Sequence, residues 1–437
     1  MKDASPFQLI LLGVFFLLGM AGLVTLMTYS AGDNTPEEEQ FGQVRIWGTY
    51  DARVISTWLQ GLASNNENIR GITYQEFSEE SFDRELLEAL AEQRGPDLLL
   101  LNNYQVHEQR NRLFALSPDV YPIRDFRSNF VQMAEVYENA SGILGLPLFS
   151  DPLVLLWNRT LFQSASLVTP PASWQEYANL VDTFTERQDN LVIQRSALAA
   201  GETTNIPNAE AMIFALAGQS QNPLTATNSD GERVSILSGI SQASIPSVVQ
   251  GLEFFLQFSD PSSPLYSWNR SLPDAQSYFV GGNAATYVGF ASEIRNISQK
   301  NPNLNFDVAE LPQSTSGTIR STYADLYGLF MTNGSNNKQG SLRAMAYLTS
   351  RDSLTDLQEI IKLGVVRRDM ASQVSGDELF TNIFARSSIY GSTFIAPSRA
   401  AVSRIFTSLV SDVTSGARSV ADALNIADAD LNAEYSR

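Results

Sequence analysis

The chain has one histidine, His107, and no cysteine. A Ser-His-Asp or Cys-His triad would rest wholly on His107, and no G-x-S-x-G turn presents a serine to it. Multi-histidine zinc, copper or nickel sites and thiolate sites lack donors. The four lysines, Lys2, Lys300, Lys338 and Lys362, stand in no motif for covalent catalysis. Gly281-Gly282 has neither the G-K-[ST] ending nor the G-x-G-x-x-G spacing of a phosphate loop. Carboxylates remain: Glu76, Asp97, Asp151, Glu202 and Glu293 could converge on a cleft, and two of them flanking a glycosidic bond would make a glycosidase. The same acids also serve as hydrogen-bond acceptors in a binding site without turnover.

Binding chemistry has more material. Flat aromatics to stack on and planar amides or carboxylates to hold several hydrogen bonds each fall where apolar runs end. Trp47 and Tyr50 follow the run Val44–Trp47, Glu76 ends Ile72–Phe77, and Asn102, Asn103 and Tyr104 follow Asp97–Leu101. Each has a structural alternative: Trp47 as a lid on the core, Asn102 as a turn residue, Tyr104 packed on the next loop, Glu76 as a solvated edge.

The elements that position these residues alternate. Val44–Trp47 reads as a strand, Val54–Leu62 as a helix and Ile72–Phe77 as a strand. Phe82, Leu86, Leu87 and Leu90 mark a helix closed by Gly95-Pro96, and Asp97–Leu101 is an uninterrupted strand. A β-α-β-α-β run implies a parallel sheet covered by helices, with ligands bound beyond the carboxyl ends of its strands. Further helices are expected at Ala209–Ala217, Val248–Phe258, Ser341–Thr349, Val402–Leu409 and Val420–Leu431, and strands at Ala284–Val288, Phe306–Val308 and Tyr323–Met331.

The chain's 437 residues exceed the roughly 250 to 300 at which one core stops growing, so two lobes are expected. A net charge of −18 without any basic run excludes nucleic acid. Phe7–Tyr29 is an uncharged apolar stretch that as a helix would span about 34 Å, enough to cross a bilayer. It exceeds the apolar core of a signal peptide, and Thr28-Tyr29-Ser30 is a poor cleavage match, so we read it as an uncleaved transmembrane helix. Lys2 precedes it and Asp33, Glu37, Glu38 and Glu39 follow, which places the N-terminus in the cytoplasm and the body outside.

Gly145 to Tyr177 carries the most specific pattern. Leu146-Pro147-Leu148-Phe149 reads as an apolar turn, Ser150-Asp151-Pro152 as a polar break, and Val154–Trp157 as a buried strand. Ser173 and Glu176 have capping-box spacing, with Trp174, Tyr177, Val181 and Phe184 on one helical face. This block resembles the crossing strand and following helix of the extracellular solute-binding proteins of ABC importers, in their sugar-type, maltose-binding-like family. The resemblance rests on Leu146, Pro147, Trp157, Asn158, Leu161, Phe162, Pro170, Pro171, Trp174 and Glu176. Gly95-Pro96-Asp97, the segment Phe279–Gly289, Leu311-Pro312 and Ser415-Gly416 with Ala421, Ala423 and Leu424 extend it over about Val44 to Leu431. Thr286 departs from the family's usual methionine, which we expect to be a packing change.

The resemblance implies a two-lobed α/β periplasmic-binding-protein-like fold of type II, with discontinuous lobes. Residues 1–6 would be cytoplasmic, 7–29 the anchor and 30–41 an acidic tether. Residues 42–148 plus about 325–352 would form lobe 1, and 149–324 plus about 353–437 lobe 2. It implies a carbohydrate held between the lobes by hinge closure, ABC permease subunits as partners, no cofactor, no metal, no catalysis and a monomer. It also implies ligand-facing roles for Phe149, Asp151, Glu202, Asn205, Tyr287, Glu293 and Tyr323, beside Trp47, Tyr50, Glu76 and Asn103. Tyr390 is a weaker choice, and Arg320 or Arg399 would matter only for an anionic ligand. Tyr323 and Tyr327 lie on one strand face but roughly 13 Å apart at ~3.3 Å per residue, too far to chelate one ferric ion. A sensor or scavenger without a transporter, and an extracellular glycosidase, are the competing readings.

Overall fold

The computed structural model describes residues 41–188, 192–220, 223–229, 231–239, 247–315, 319–371 and 380–437. The expected transmembrane helix Phe7–Tyr29 and nearly all of the tether lie outside the described residues. Among the described residues no helix is long and apolar enough to cross a membrane.

The first strand, Val44–Gly48, buries Val44, Ile46 and Gly48 and leaves Arg45 and Trp47 half-buried. It pairs in parallel with Ile72–Glu76 on one side and with Leu98–Asn102 on the other. Leu98–Asn102 is buried throughout, as its unbroken leucines require. Helices Ala52–Asn65 and Glu79–Ala91 connect these strands, their N-termini capped by Asp51 and Ser78. Asp97 belongs to this framework. Its carboxylate accepts from the Arg45 amide at 3.0 Å and the Ser335 hydroxyl at 2.8 Å.

Gly145–Asn158 is one continuous strand with all of its residues buried. The expected polar break at Ser150-Asp151-Pro152 lies inside it, because the strand changes partners there. Gly145–Pro152 pairs with the return strand Thr322–Met331, and Leu153–Trp157 pairs with Ala284–Phe290. Ser150 exchanges both backbone bonds with Gly364, and its hydroxyl meets that of Ser388 at 2.9 Å. Both prolines sit where a missing amide is tolerated: Pro147 at the register shift beside Gly328, Pro152 at the change of partner.

Thr322–Met331 is the second crossing. It pairs with Gly391–Ser392 at its start, with the first crossing strand along its middle, and with Leu98–Asn102 at its end. One hydrogen-bonded path therefore runs from Ile72–Glu76 through both crossings to Ala284–Phe290 and Ile193–Leu198.

Three local expectations change. The helix expected through Trp174 and Phe184 is two short helices, Trp174–Ala178 and Val181–Phe184, divided where the Leu180 amide reaches the Tyr177 carbonyl three residues back. Thr286 is more than a packing change, because its hydroxyl donates to the Ala197 carbonyl at 2.8 Å and meets the Tyr177 hydroxyl at 2.6 Å. Helix Arg351–Ile361 packs on Ala52–Asn65, with Trp58 Nε1 donating to the Ser353 carbonyl at 2.8 Å. That contact puts the helix beside the first lobe, although lobe 2 was expected to resume at about residue 353.

Candidate functional site

A cavity of about 250 Å³ opens where strand ends and helix starts from both halves of the molecule meet. Tyr104 enters it from the turn after Leu98–Asn102, a turn held by the Tyr104 amide donating to Asn102 Oδ1 at 3.0 Å. Phe290 arrives at the end of Ala284–Phe290. Thr203 follows Ile193–Leu198 through Gly201, whose φ of +91° and contact with Ser259 leave no room for a side chain. Asn208 and Glu210 come from the start of helix Ala209–Gln219. Arg399 and Ser403 come from the first turns of Arg399–Thr414, a helix N-capped by Ser398 after Pro397.

Arg399 joins these parts. Its guanidinium lies 4.1 Å over the Tyr104 ring, and Nη2 is 2.9 Å from Asp325 Oδ2. Asp325 is 5% exposed and its Oδ1 is buried without a hydrogen-bond partner. Burial pushes the Asp325 carboxyl up, and Arg399 opposes that shift. Burial likewise raises the Glu210 carboxyl.

Directly across the strand pair from Asp325 is Asp151. Asp151 Oδ1 accepts from the Ser292 amide at 3.0 Å, which ties the first crossing to the turn after Phe290. Burial pushes its carboxyl up to about 7, with Asp325 and Glu293 adding to the shift and the Ser292 bonds opposing it. Beside it stands an aromatic tier. Phe149 stacks on Tyr327 with centroids 4.6 Å apart, and the half-buried Tyr50 ring packs 4.9 Å from Phe149.

The expected site residues divide sharply. Tyr50, Phe149 and Asp151 come together at the first crossing, and Tyr323 stands behind Tyr104, their hydroxyls 3.0 Å apart. Trp47 is half-buried, 4.5 Å from the Phe77 ring. Glu76 is exposed, and its carboxylate accepts from the Ala52 amide at 2.6 Å, at the start of helix Ala52–Asn65.

The others are held by internal partners. Asn103 is fully buried, donates to the Tyr323 hydroxyl and the Phe394 carbonyl, and accepts from the Leu326 amide. Glu202 pairs with Arg270 at 3.2 Å. Asn205 donates to the Asn269 and Leu272 carbonyls and accepts from Trp268. Tyr287 is 1% exposed, so its ring offers no face to a cleft. Glu293 accepts from Tyr287, Asn208, Gln276 and the Phe290 amide, which occupies both oxygens twice.

Glu210, Phe290, Asn208 and Ser403 were not expected here, and Arg399 was reserved for an anionic ligand. The helix-start signature Pro397-Ser398 before Arg399 was legible, but not the strand end it faces.

The profile of the bacterial extracellular solute-binding proteins matches residues 64–382. Binding proteins of Brucella abortus (strain 2308) and Brucella suis biovar 1 (strain 1330) are each 23% identical over 242 residues, 54% of this chain and 53% of theirs. The chain thus spans about half the length of the curated relatives it matches. A cyclo/maltodextrin-binding protein complexed with maltotetraose superposes with a TM-score of 0.70 at 16% identity, covering 89% of this chain and 96% of that one. A sugar-binding protein of Xanthomonas citri gives a TM-score of 0.70 at 18% identity, over 90% and 97%. These likenesses identify the two-lobed maltose-binding-protein-like fold. With the profile covering well over half of the sequence, the chain belongs to the bacterial extracellular solute-binding protein family.

Proposed function

We propose that this protein captures a carbohydrate between its lobes and delivers it to the permease subunits of an ABC importer, without catalysis. The observation that carries this reading is the composition of the cavity. The half-buried ring of Phe290 lines it with the Arg399–Tyr104 pair, and Glu210, Thr203 and Ser403 supply the hydrogen-bonding rim a polyol needs. Its volume, about 250 Å³, is near the ~300 Å³ lower end of small-molecule sites. The ligands bound in several fold neighbours, maltotetraose and mannobiose among them, support a carbohydrate.

Tyr50 and Asp151 flank the solute at the first hinge, and Trp47 and Glu76 form the outer rim of lobe 1. A solute touching both lobes favours the closed state by its differential affinity. The body stands outside the membrane on Phe7–Tyr29 as a monomer.

A thermal-shift screen of the full chain against sugars, polyols, amino acids and polyamines tests the reading, since a ligand at a hundred times its Kd stabilises by about 2.7 kcal/mol. Stabilisation by an oligosaccharide that is recovered uncleaved is the expected result. Stabilisation only by amino acids or polyamines would refute the carbohydrate, and release of shortened sugar would refute the absence of catalysis.

A further inference from the structure

Behind the cleft, on the far side of Tyr323, lies a second cavity of about 180 Å³. Arg233, Thr393, Ser392, Thr225 and Tyr323 line it, together with Val136. Arg233 lies on the hairpin strand Arg233–Ser235, which docks on the C-terminal helix Val420–Tyr435 through Ser235 and Asn432. Asp428 is no counter-ion for it, because that carboxylate is occupied by Ser235, Leu237 and Ser238.

Among the described residues Arg233 makes one hydrogen bond, from Nη2 to the Val136 carbonyl at 3.1 Å, and no ion pair. A guanidinium has five donors in a fixed fork suited to oxyanions, and half-burying it without a counter-charge is costly. Burial accordingly pulls its pKa down, with no carboxylate opposing. A second, independent feature of the same cavity is Thr393 Oγ1, buried with no hydrogen-bond partner.

We propose that this cavity is a binding site for a small oxyanion, a carboxylate or a tetrahedral phosphate or sulfate, held by Arg233 and Thr393 with Ser392 and Thr225 at its edge. The bound anion neutralises Arg233 and fastens the Val136 segment to the hairpin. It also reaches the cleft through one contact, since Tyr323 walls this cavity and its hydroxyl meets Tyr104 of the other. The site does not depend on which solute the cleft takes.

The single histidine is a built-in reporter. His107 packs edge-on to Tyr435 with ring centroids 5.0 Å apart, and its Nε2 has no partner. Burial, then the charges of Arg110 and Arg233, hold its imidazole down at about 4, and the Tyr435 backbone opposes them. Neutralising Arg233 therefore raises the His107 pKa. The test is imidazole NMR of the full chain titrated with inorganic phosphate, sulfate or acetate against chloride at matched ionic strength.

A saturable shift of the one imidazole signal by at least one of these anions is expected. Arg233→Gln should weaken it about tenfold or more, as loss of a charge-assisted pair does, and Thr393→Val several-fold. No saturable shift with any of the three anions would overturn the proposal. So would equal apparent affinity in wild type and Thr393→Val, the variant that carries the test if Arg233→Gln does not fold.

Discussion

The strand ends of the two lobes differ in what they leave available. In lobe 1, Trp47 and Tyr50 are half-buried and their rings pack on other rings, and Glu76 is exposed with one oxygen on a helix amide. In lobe 2, Tyr287, Asn208 and Glu293 form a closed network behind Phe290, and Asn205 is locked to three loop partners. A polar residue beyond a strand is free to bind solute only where the fold has not already occupied its hydrogen bonds. The lesson is that lobe 1 offers outward-facing groups, whereas lobe 2 offers the next layer: Phe290, Thr203 and the helix starts at Glu210 and Arg399.

The largest effect expected from breaking this comparison is in lobe 2. Glu293→Ala leaves the Tyr287 hydroxyl, the Gln276 side-chain amide and the Phe290 amide without this acceptor and removes one of the three bonds of Asn208, and should cost about 3 to 5 kcal/mol in urea unfolding. A loss below about 1 kcal/mol would show that the network is dispensable.

Asp151 comes next, through pH. Its folded pKa, about 7, lies above the ordinary 3.8, so the folded state holds the extra proton between those values. Stability from this group is fully present below about pH 4 and is lost as pH rises through 7. Asp151→Asn should therefore match wild type near pH 4 and be more stable by about 1 to 3 kcal/mol near pH 8. An equal difference at both pH values would contradict the sign.

Trp47→Ala and Tyr50→Ala should weaken solute binding by about 1 to 3 kcal/mol, read by calorimetry, and change stability less than Glu293→Ala does. Unchanged affinity in both would remove the lobe 1 aromatics from the site. The smallest effect belongs to Glu76→Gln. Only the interaction of a carboxylate with the start of Ala52–Asn65 is lost, about 0.3 to 1 kcal/mol of stability.

Much of this was legible in the sequence, for identifiable reasons. The three parallel strands of lobe 1 are short runs bounded by turns, and their pattern leaves little choice of register. The crossing strand was half legible: Val154–Trp157 reads as buried, but Ser150-Asp151-Pro152 looks like a break because its partners, Gly364, Ser388 and Ser292, are remote in sequence. The site was legible as strand ends but not as free groups. Nothing local to Tyr287 tells that its hydroxyl will meet Glu293, and nothing near Arg399 tells that it will cover Tyr104.

The central claim, that a sugar closes one lobe on the other, is tested most directly by a distance between them. The chain has no cysteine, so Glu80→Cys, in the first turn of helix Glu79–Ala91, and Ser271→Cys, in the loop before Ala275–Val280, both exposed positions, can carry one spin label each. Titration with malto- and manno-oligosaccharides should shorten the interlabel distance saturably, at the same concentrations that raise the melting temperature. Saturable sugar binding with an unchanged distance, or no binding by any sugar tried, would contradict the account.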